Sequence, residues 1–326
     1  MRRRDFFVNA AGGLAVAALS GCRVPASFST APAPGTVKLD AAAFRAARRY
    51  TQLRSGRIVH VERGSGPAAL FIHGYPLNGY QWRGALERLS PYRRCISPDL
   101  LGLGYTETSA TQDLSPAAQA EMLAELLDAL KVDSVDIVTN DSGNAIAQLF
   151  LVRYPQRVRT LLFTNGDVHE NSPPEKLRSS IEMAKKGTYA DEKLLPHLRD
   201  PEFARGPKGI GGGAYTDPAN FTNESIEYYF TPLVSSPLRK AQANQYAAAF
   251  DPNPLLAIES QLRKCTQPAR MVWGTGDHLF PTSWAHWLDR ALPGSRGIRF
   301  VEGGKLFFPE EMPDLIAAEA KTLWRV

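Results

Sequence analysis

The stretch VDIVTNDSGNAIA, residues 135–147, constrains the fold more than any other part of the chain. Its β-branched and apolar start, Val135 to Thr139, reads as a strand, and the segment from Gly143 to Arg153 reads as a helix. Only Asn140, Asp141 and Ser142 separate the two. A chain reversing that tightly thrusts the side chain at its apex outward, and Gly143, two residues later, relieves the crowding. This is the pattern of a nucleophile elbow, with an aspartate at the apex where a serine is usual. A carboxylate nucleophile attacks an electrophilic carbon to give a covalent ester, dividing one hard displacement into two easier steps.

The flanking sequence agrees with a strand-turn-helix unit of an open sheet. Strands are predicted at 57–62, 69–72, 94–97, 135–139, 160–164, 269–273 and 298–301. Helices are predicted at 80–89, 115–130, 143–153, 283–292 and 310–324. Ser115 followed by Pro116 gives an N-cap oxygen and then a proline at the first helical position. Such alternation predicts an α/β fold, a mostly parallel twisted sheet flanked by helices. It is interrupted once, between residues 170 and 255, by a Pro- and Gly-rich insertion with helical pieces at Glu224–Phe230 and Leu238–Phe250. An insertion leaving the C-terminal edge of a sheet sits over the strand ends, where ligands bind in open α/β folds, so it reads as a mainly helical cap. The expected division is a core of residues 44–169 and 256–326 with the cap at 170–255.

The first 22 residues have a different character. Arg2, Arg3 and Arg4 precede a short apolar run from Ala10 to Leu19 and then small residues before Cys22. That run is far shorter than the roughly 20 apolar residues a membrane-spanning helix needs, so the segment reads as an export signal. Arg3 to Phe7 resemble a twin-arginine motif, and Leu19 to Cys22 resemble a lipobox. The expectation is export to the periplasmic side and a membrane anchor through lipidated Cys22, with 23–43 as a tether. The net charge of +5 falls further without this leader, and no basic patch interleaved with aromatics points to nucleic acid. Cys95 and Cys265 are too few for a disulfide framework and are expected to stay unpaired. No cofactor or metal motif stands out, and the sequence leaves the oligomeric state open.

Four motifs in order carry a resemblance to the α/β-hydrolase superfamily, and within it to the haloalkane dehalogenase and epoxide hydrolase branch. They are FIHGYPLNGYQWR at 71–83, SPDLLGLGYTE at 97–107, the elbow itself, and MVWGTGDHLFP at 271–281. The resemblance implies a hydrolase acting on a small organic molecule through Asp141, with the backbone N–H groups of Tyr75 and Ser142 as an oxyanion hole. It implies Asp277 as the acid that orients a base, in the chain order nucleophile, acid, base.

The chain departs from that pattern in three places. Lys305, in GGKLFFPEEMP, stands where the family has its histidine base. A lysine starts near a pKa of about 10.4 and is charged by default, so it cannot activate water as imidazole does. His169, just past the strand ending near Asn165, is a rescue candidate; His278 also lies near the expected cleft. Ser142 replaces the tryptophan, and Tyr75 the asparagine, that hold halide in dehalogenases. Epoxide hydrolases use cap tyrosines as acids, and Tyr215, Tyr228, Tyr229 and Tyr246 are available without a spacing that selects a pair. Two other readings stay open: a non-hydrolytic, ligand-binding lipoprotein with an Asp141–Lys305 ion pair, and a serine esterase using Ser142.

Overall fold

The computed structural model describes residues 38–326. The export signal, Cys22 and most of the tether therefore lie outside the described residues. Eight strands form one sheet: β1 (Arg48–Leu53), β2 (Gly56–Arg63), β3 (Ala68–Ile72), β4 (Arg94–Pro98), β5 (Val135–Asp141), β6 (Val158–Gly166), β7 (Ala269–Gly274) and β8 (Ser295–Val301). Their order is β1-β2-β4-β3-β5-β6-β7-β8. The β1/β2 and β2/β4 pairs are antiparallel and the remaining pairs parallel.

Every residue of β3 and β5 is buried. That is what strands covered by helices on both faces require, and it explains the unbroken apolar sequence of β3, AALFI. Helix Pro116–Ala129 packs on Gly143–Arg153, and Arg83–Leu89 packs on Pro313–Trp324, forming the flanking layers. The Ser115 hydroxyl accepts the Ala118 N–H at 3.2 Å with Pro116 in the first turn, as its sequence predicts.

Three details differ from expectation. β1 was not predicted because its residues, RRYTQL, are polar; it is an edge strand whose members are exposed or half-buried. The segment 80–89 divides into a 3-10 turn, Gly79–Trp82, and the helix Arg83–Leu89. The segment 310–324 breaks at Met312 because Pro313 cannot donate to a helix continuing from Phe308–Glu311. Cys95 and Cys265 are buried and unpaired. No helix among the described residues is long and apolar enough to cross a membrane.

From β3 the chain moves outward to β4, and from β5 it moves the other way to β6, β7 and β8. The C-terminal ends of β3 and β5 thus flank the switch point of the sheet, where a crevice must open. The loop after β3 and the end of β5 hold Tyr75 and Asp141. Over this crevice lie the helices between β6 and β7, including Arg178–Lys185, Asn223–Val234 and Pro237–Ala248. The cap is tied to the core by polar contacts at their margin. Arg239 donates to the carbonyls of Gly104 at 2.7 Å and Thr106 at 2.9 Å. Glu311 accepts the N–H groups of Thr216 and Asp217. Arg48 stacks 3.3 Å from the Tyr105 ring centroid while donating to Tyr228.

Candidate active site

Asp141 ends β5 with φ of 55°, the left-handed region that a non-glycine residue adopts only when its surroundings hold it there. Two close approaches do so. A Cβ on Gly74 would lie 2.3 Å from Asp141 Oδ2, and one on Gly166 would lie 2.3 Å from the Asp141 carbonyl oxygen. Both neighbours must lack side chains for the elbow to fit. Asn140, one residue earlier, donates to the carbonyls of Asn165 and Leu306 and so ties the elbow to β6 and to the loop after β8.

Oδ2 of Asp141 accepts the Tyr75 N–H at 2.8 Å, and the Ser142 N–H also bonds the carboxyl. These are the two amides read from the sequence as an oxyanion hole, and they converge on one oxygen-bearing group. The carboxyl is 5% exposed. Burial pushes its pKa up to about 7, against the pull of the two amides, and the charge of Asp277 adds to the rise.

Asp277 is 8% exposed. Its Oδ1 accepts the N–H of Leu279 at 2.8 Å and of Phe280 at 3.3 Å, and its Oδ2 accepts Asn165 Nδ2 at 3.0 Å. Burial raises its pKa, and these donors oppose the shift. Neutral donors hold Asp277, and among the described residues no base is bonded to it.

Lys305 does not complete a triad. Its Nζ donates to the Gly212 carbonyl in the cap at 2.8 Å, and its N–H to Thr216 Oγ1 at 3.2 Å. Among the described residues it forms no ion pair with Asp141 or Asp277, so the Asp–Lys pair weighed from sequence does not form. His169 Nε2 instead contacts Glu259 Oε2 at 3.0 Å, and the ring stacks on Trp287 with centroids 4.4 Å apart. It does not line the cavity over Asp141. His278 is exposed. His73 is locked between the Gly74 carbonyl and the Leu100 N–H; burial lowers its pKa to about 4, so it is a neutral structural group. Ser142 Oγ shares hydrogen bonds with the Tyr75 N–H at 3.1 Å and Tyr246 Oη at 3.2 Å, with no base beside it to make it a nucleophile.

Asp141 opens into a cavity of about 70 Å³ within a cleft whose whole void, mouth included, is about 480 Å³. Tyr75, Ser142, Asp167, Tyr189 and Tyr246 provide its polar lining, and Leu177, Ile181 and Phe250 its apolar wall. A larger groove of about 680 Å³ opens at the other edge of the sheet, beside Arg93, Asp136, Arg159 and Glu319. Both of its carboxylates are already paired, Asp136 with Arg93 and Arg159 and Glu319 with Arg270, and no strand-turn-helix elbow opens into it. The elbow and its two amides open on the smaller cavity, which is therefore the candidate site. Among the described residues no cluster of three or more His, Cys, Asp or Glu side chains is arranged to hold a metal.

Residues 67–311 match the alpha/beta hydrolase fold family. The chain belongs to the α/β-hydrolase fold family. An epoxide hydrolase of Caballeronia sordidicola is 34% identical over 287 residues, 77% of this chain and 85% of that protein. A haloalkane dehalogenase of Mesorhizobium japonicum is 39% identical over 105 residues, 32% of this chain and 34% of that one. The crystal structure of haloalkane dehalogenase DbeA from Bradyrhizobium elkani USDA94 superposes with a TM-score of 0.70 at 20% identity, covering 85% of this chain and 98% of that chain. With relatives named as hydrolases, this α/β-hydrolase is itself a hydrolase.

Two residues of the hydrolase cavity were not singled out from sequence. Asp167 follows β6 directly and so shares the strand-end edge with Asp141; position after a predicted strand was the available signal. Tyr189 lies in the cap in a segment without strong periodicity, and nothing in the sequence pointed to it. Of the four cap tyrosines considered, only Tyr246 reaches the cavity. Tyr215 donates to Glu310, Tyr228 accepts from Arg48, and Tyr229 sits beside Arg83.

Proposed function

We propose that this hydrolase opens a small organic electrophile by direct attack of Asp141, forming a covalent ester that water then hydrolyses. The observation that carries the reading is the Asp141 carboxyl at a strained apex, with the Tyr75 N–H on Oδ2 and the Ser142 N–H on the same carboxyl, facing the cavity under the cap. One carboxylate oxygen is left for attack. When water adds to the ester, the negative charge develops on the oxygen that the Tyr75 N–H already holds, beside the Ser142 N–H.

The lining favours an epoxide over a haloalkane. Tyr189 and Tyr246 supply hydroxyl donors suited to an ether oxygen, whereas Ser142 and Tyr75 stand where a halide site needs an indole and an amide. Leu177, Ile181 and Phe250 form an apolar wall suited to the hydrocarbon part of such a substrate. Lys305, engaged by Gly212, acts as a latch on the cap and not as the base. The enzyme is also proposed to be exported and anchored outside the inner membrane through Cys22, on the strength of its leader sequence.

The test is covalent trapping. Protein mixed with styrene oxide, quenched in acid and digested should show one adduct on the peptide carrying Asp141, missing in Asp141→Asn. Absence of any such adduct with both epoxides and alkyl bromides would falsify the reading.

A further inference from the structure

The cavity lining contains two aspartates and three tyrosines but no His, Lys or Arg. Asp141 is the nucleophile, so a group that removes a proton from water must come from what remains. Asp167 is 3% exposed. Its N–H donates to the Asp141 carbonyl at 3.2 Å, and its own carbonyl accepts Gln148 Nε2 at 2.9 Å, fixing it beside the elbow. Its Oδ1 is buried without a hydrogen-bond partner. The Ser172 hydroxyl is near enough to offset part of the burial cost, yet neither Ser172 Oγ nor Asp167 Oδ1 completes a hydrogen bond. A buried carboxyl so poorly satisfied belongs in its neutral form.

We propose that Asp167 is the proton-carrying partner of Asp141 and that the pair makes the site selective for epoxides. This rests on Asp141 being the nucleophile. In the first step an Asp141 oxygen bonds to a ring carbon, the ring C–O bond breaks, and its electron pair leaves on the ring oxygen. That oxygen takes the Asp167 proton and becomes a hydroxyl. Asp167 is then a carboxylate, and in the second step it takes a proton from the water that adds to the ester carbonyl. The oxyanion so formed sits on the Tyr75 and Ser142 N–H groups. Its collapse expels the diol oxygen, which takes the proton back from Asp167. The carboxylic acid left on Asp141 passes its own proton to Asp167, which restores the starting pair. The sum is epoxide plus water to diol.

The electrostatics agree with these roles. Burial, and then the charge of Asp141, push the Asp167 pKa well above the ordinary carboxyl range, so Asp167 holds the proton while Asp141 ionises. Burial likewise raises Tyr189 and Tyr246, which therefore orient the ring oxygen as hydrogen-bond donors but release a proton less readily than a carboxylic acid does, while the Tyr75 hydroxyl is spent on the Ala243 carbonyl. A haloalkane breaks the cycle: halide departs as a stable anion, Asp167 keeps its proton, and no base is generated for hydrolysis.

The experiment compares styrene oxide with allyl bromide in single turnover, following the adduct on the Asp141 peptide by mass spectrometry in wild type and Asp167→Asn. The expected result is a fall of about 10²-fold in the ratio of styrene oxide to allyl bromide adduct rates in the variant, with adduct hydrolysis slowed by a similar factor. Unchanged rates with styrene oxide overturn the assignment, and so does an equal loss with both probes, which marks a structural role. Wild-type protein that forms no adduct with either probe removes the Asp141 reading itself and the assignment with it. If Asp167→Asn loses its native circular dichroism, the wild-type pH profile decides. Adduct formation from styrene oxide should rise as Asp141 ionises and fall again at higher pH as Asp167 loses its proton, while that from allyl bromide only rises. Two profiles that both level off without a fall overturn it.

Discussion

The main-chain N–H of Tyr75 donates to Oδ2 of Asp141 at 2.8 Å, so the loop after β3 holds the residue at the tip of β5 by the oxygen that must later carry negative charge. The same burial that arms this carboxyl costs stability. Its pKa is raised from 3.8 to about 7. Between those values the native protein keeps a proton that the unfolded chain has lost, so stability falls as pH rises through the window. Asp141→Asn is expected to abolish turnover and to raise stability at pH 8 by at most about 4 kcal/mol, with no gain at pH 4. Urea unfolding at the two pH values checks it; equal effects at both would mean that the carboxyl is ionised throughout.

Gly74→Ala addresses the other side of that contact. The added methyl would stand 2.3 Å from both Cβ and Oδ2 of Asp141, and it can be accommodated only by moving the carboxyl out of the hole. Loss of an oxyanion donor costs about 10²–10³ in rate, and overpacking about 1–3 kcal/mol. Steady-state kinetics with styrene oxide and a thermal melt give both readings. A variant keeping wild-type activity would mean that the hole does not act on Asp141.

The elbow, the oxyanion loop and the acid loop were legible because each is a local pattern: a β-branched run, a turn with few side chains, then a helix. The sheet followed from the alternation of such runs. β1 escaped because an edge strand needs no apolar alternation, and its RRYTQL sequence has none. Lys305 was read as standing where the family has its base, but its partner was not legible. Gly212 lies 93 residues away, and only the packing of cap on core brings its carbonyl to the amine. Asp167 was hidden for a related reason. One acid after a strand says little until the cap closes over it and the cavity proves to lack every basic side chain.

Lys305→Met should separate latch from base. The amine contacts the Gly212 carbonyl and neither carboxylate, so the variant leaves one carbonyl without its donor, at a cost of about 1 kcal/mol. Hydrolysis of the Asp141 ester should stay within about threefold of wild type, which corresponds to less than about 0.7 kcal/mol. KM should rise as the glycine run of the cap loosens. A fall of 10²-fold in ester hydrolysis with KM unchanged would return Lys305 to the chemistry.

Cys22→Ser tests the leader. A lipidated cysteine carrying several acyl chains anchors a protein stably, and a single chain only marginally. In a bacterial host the native chain should sediment with membranes and label with palmitate, and the serine variant should do neither. Palmitate-free native protein in the soluble fraction would leave the segment as an ordinary secretory signal.

Tyr246 links the cap to the elbow. Its hydroxyl meets Ser142 Oγ at 3.2 Å and its ring stacks on Tyr75 with centroids 5.3 Å apart, so it spans the roof and wall of the cavity. Tyr246→Phe keeps the stacking and removes the hydroxyl alone. If that hydroxyl orients the ring oxygen without supplying the proton, adduct formation from styrene oxide should fall about tenfold, one neutral hydrogen bond's worth. Hydrolysis of the adduct, in which the ring oxygen is already a hydroxyl, should be untouched. Rapid-quench measurement of the two steps separates these effects. A loss in the second step as large as in the first would make Tyr246 part of the proton path and displace Asp167 from it.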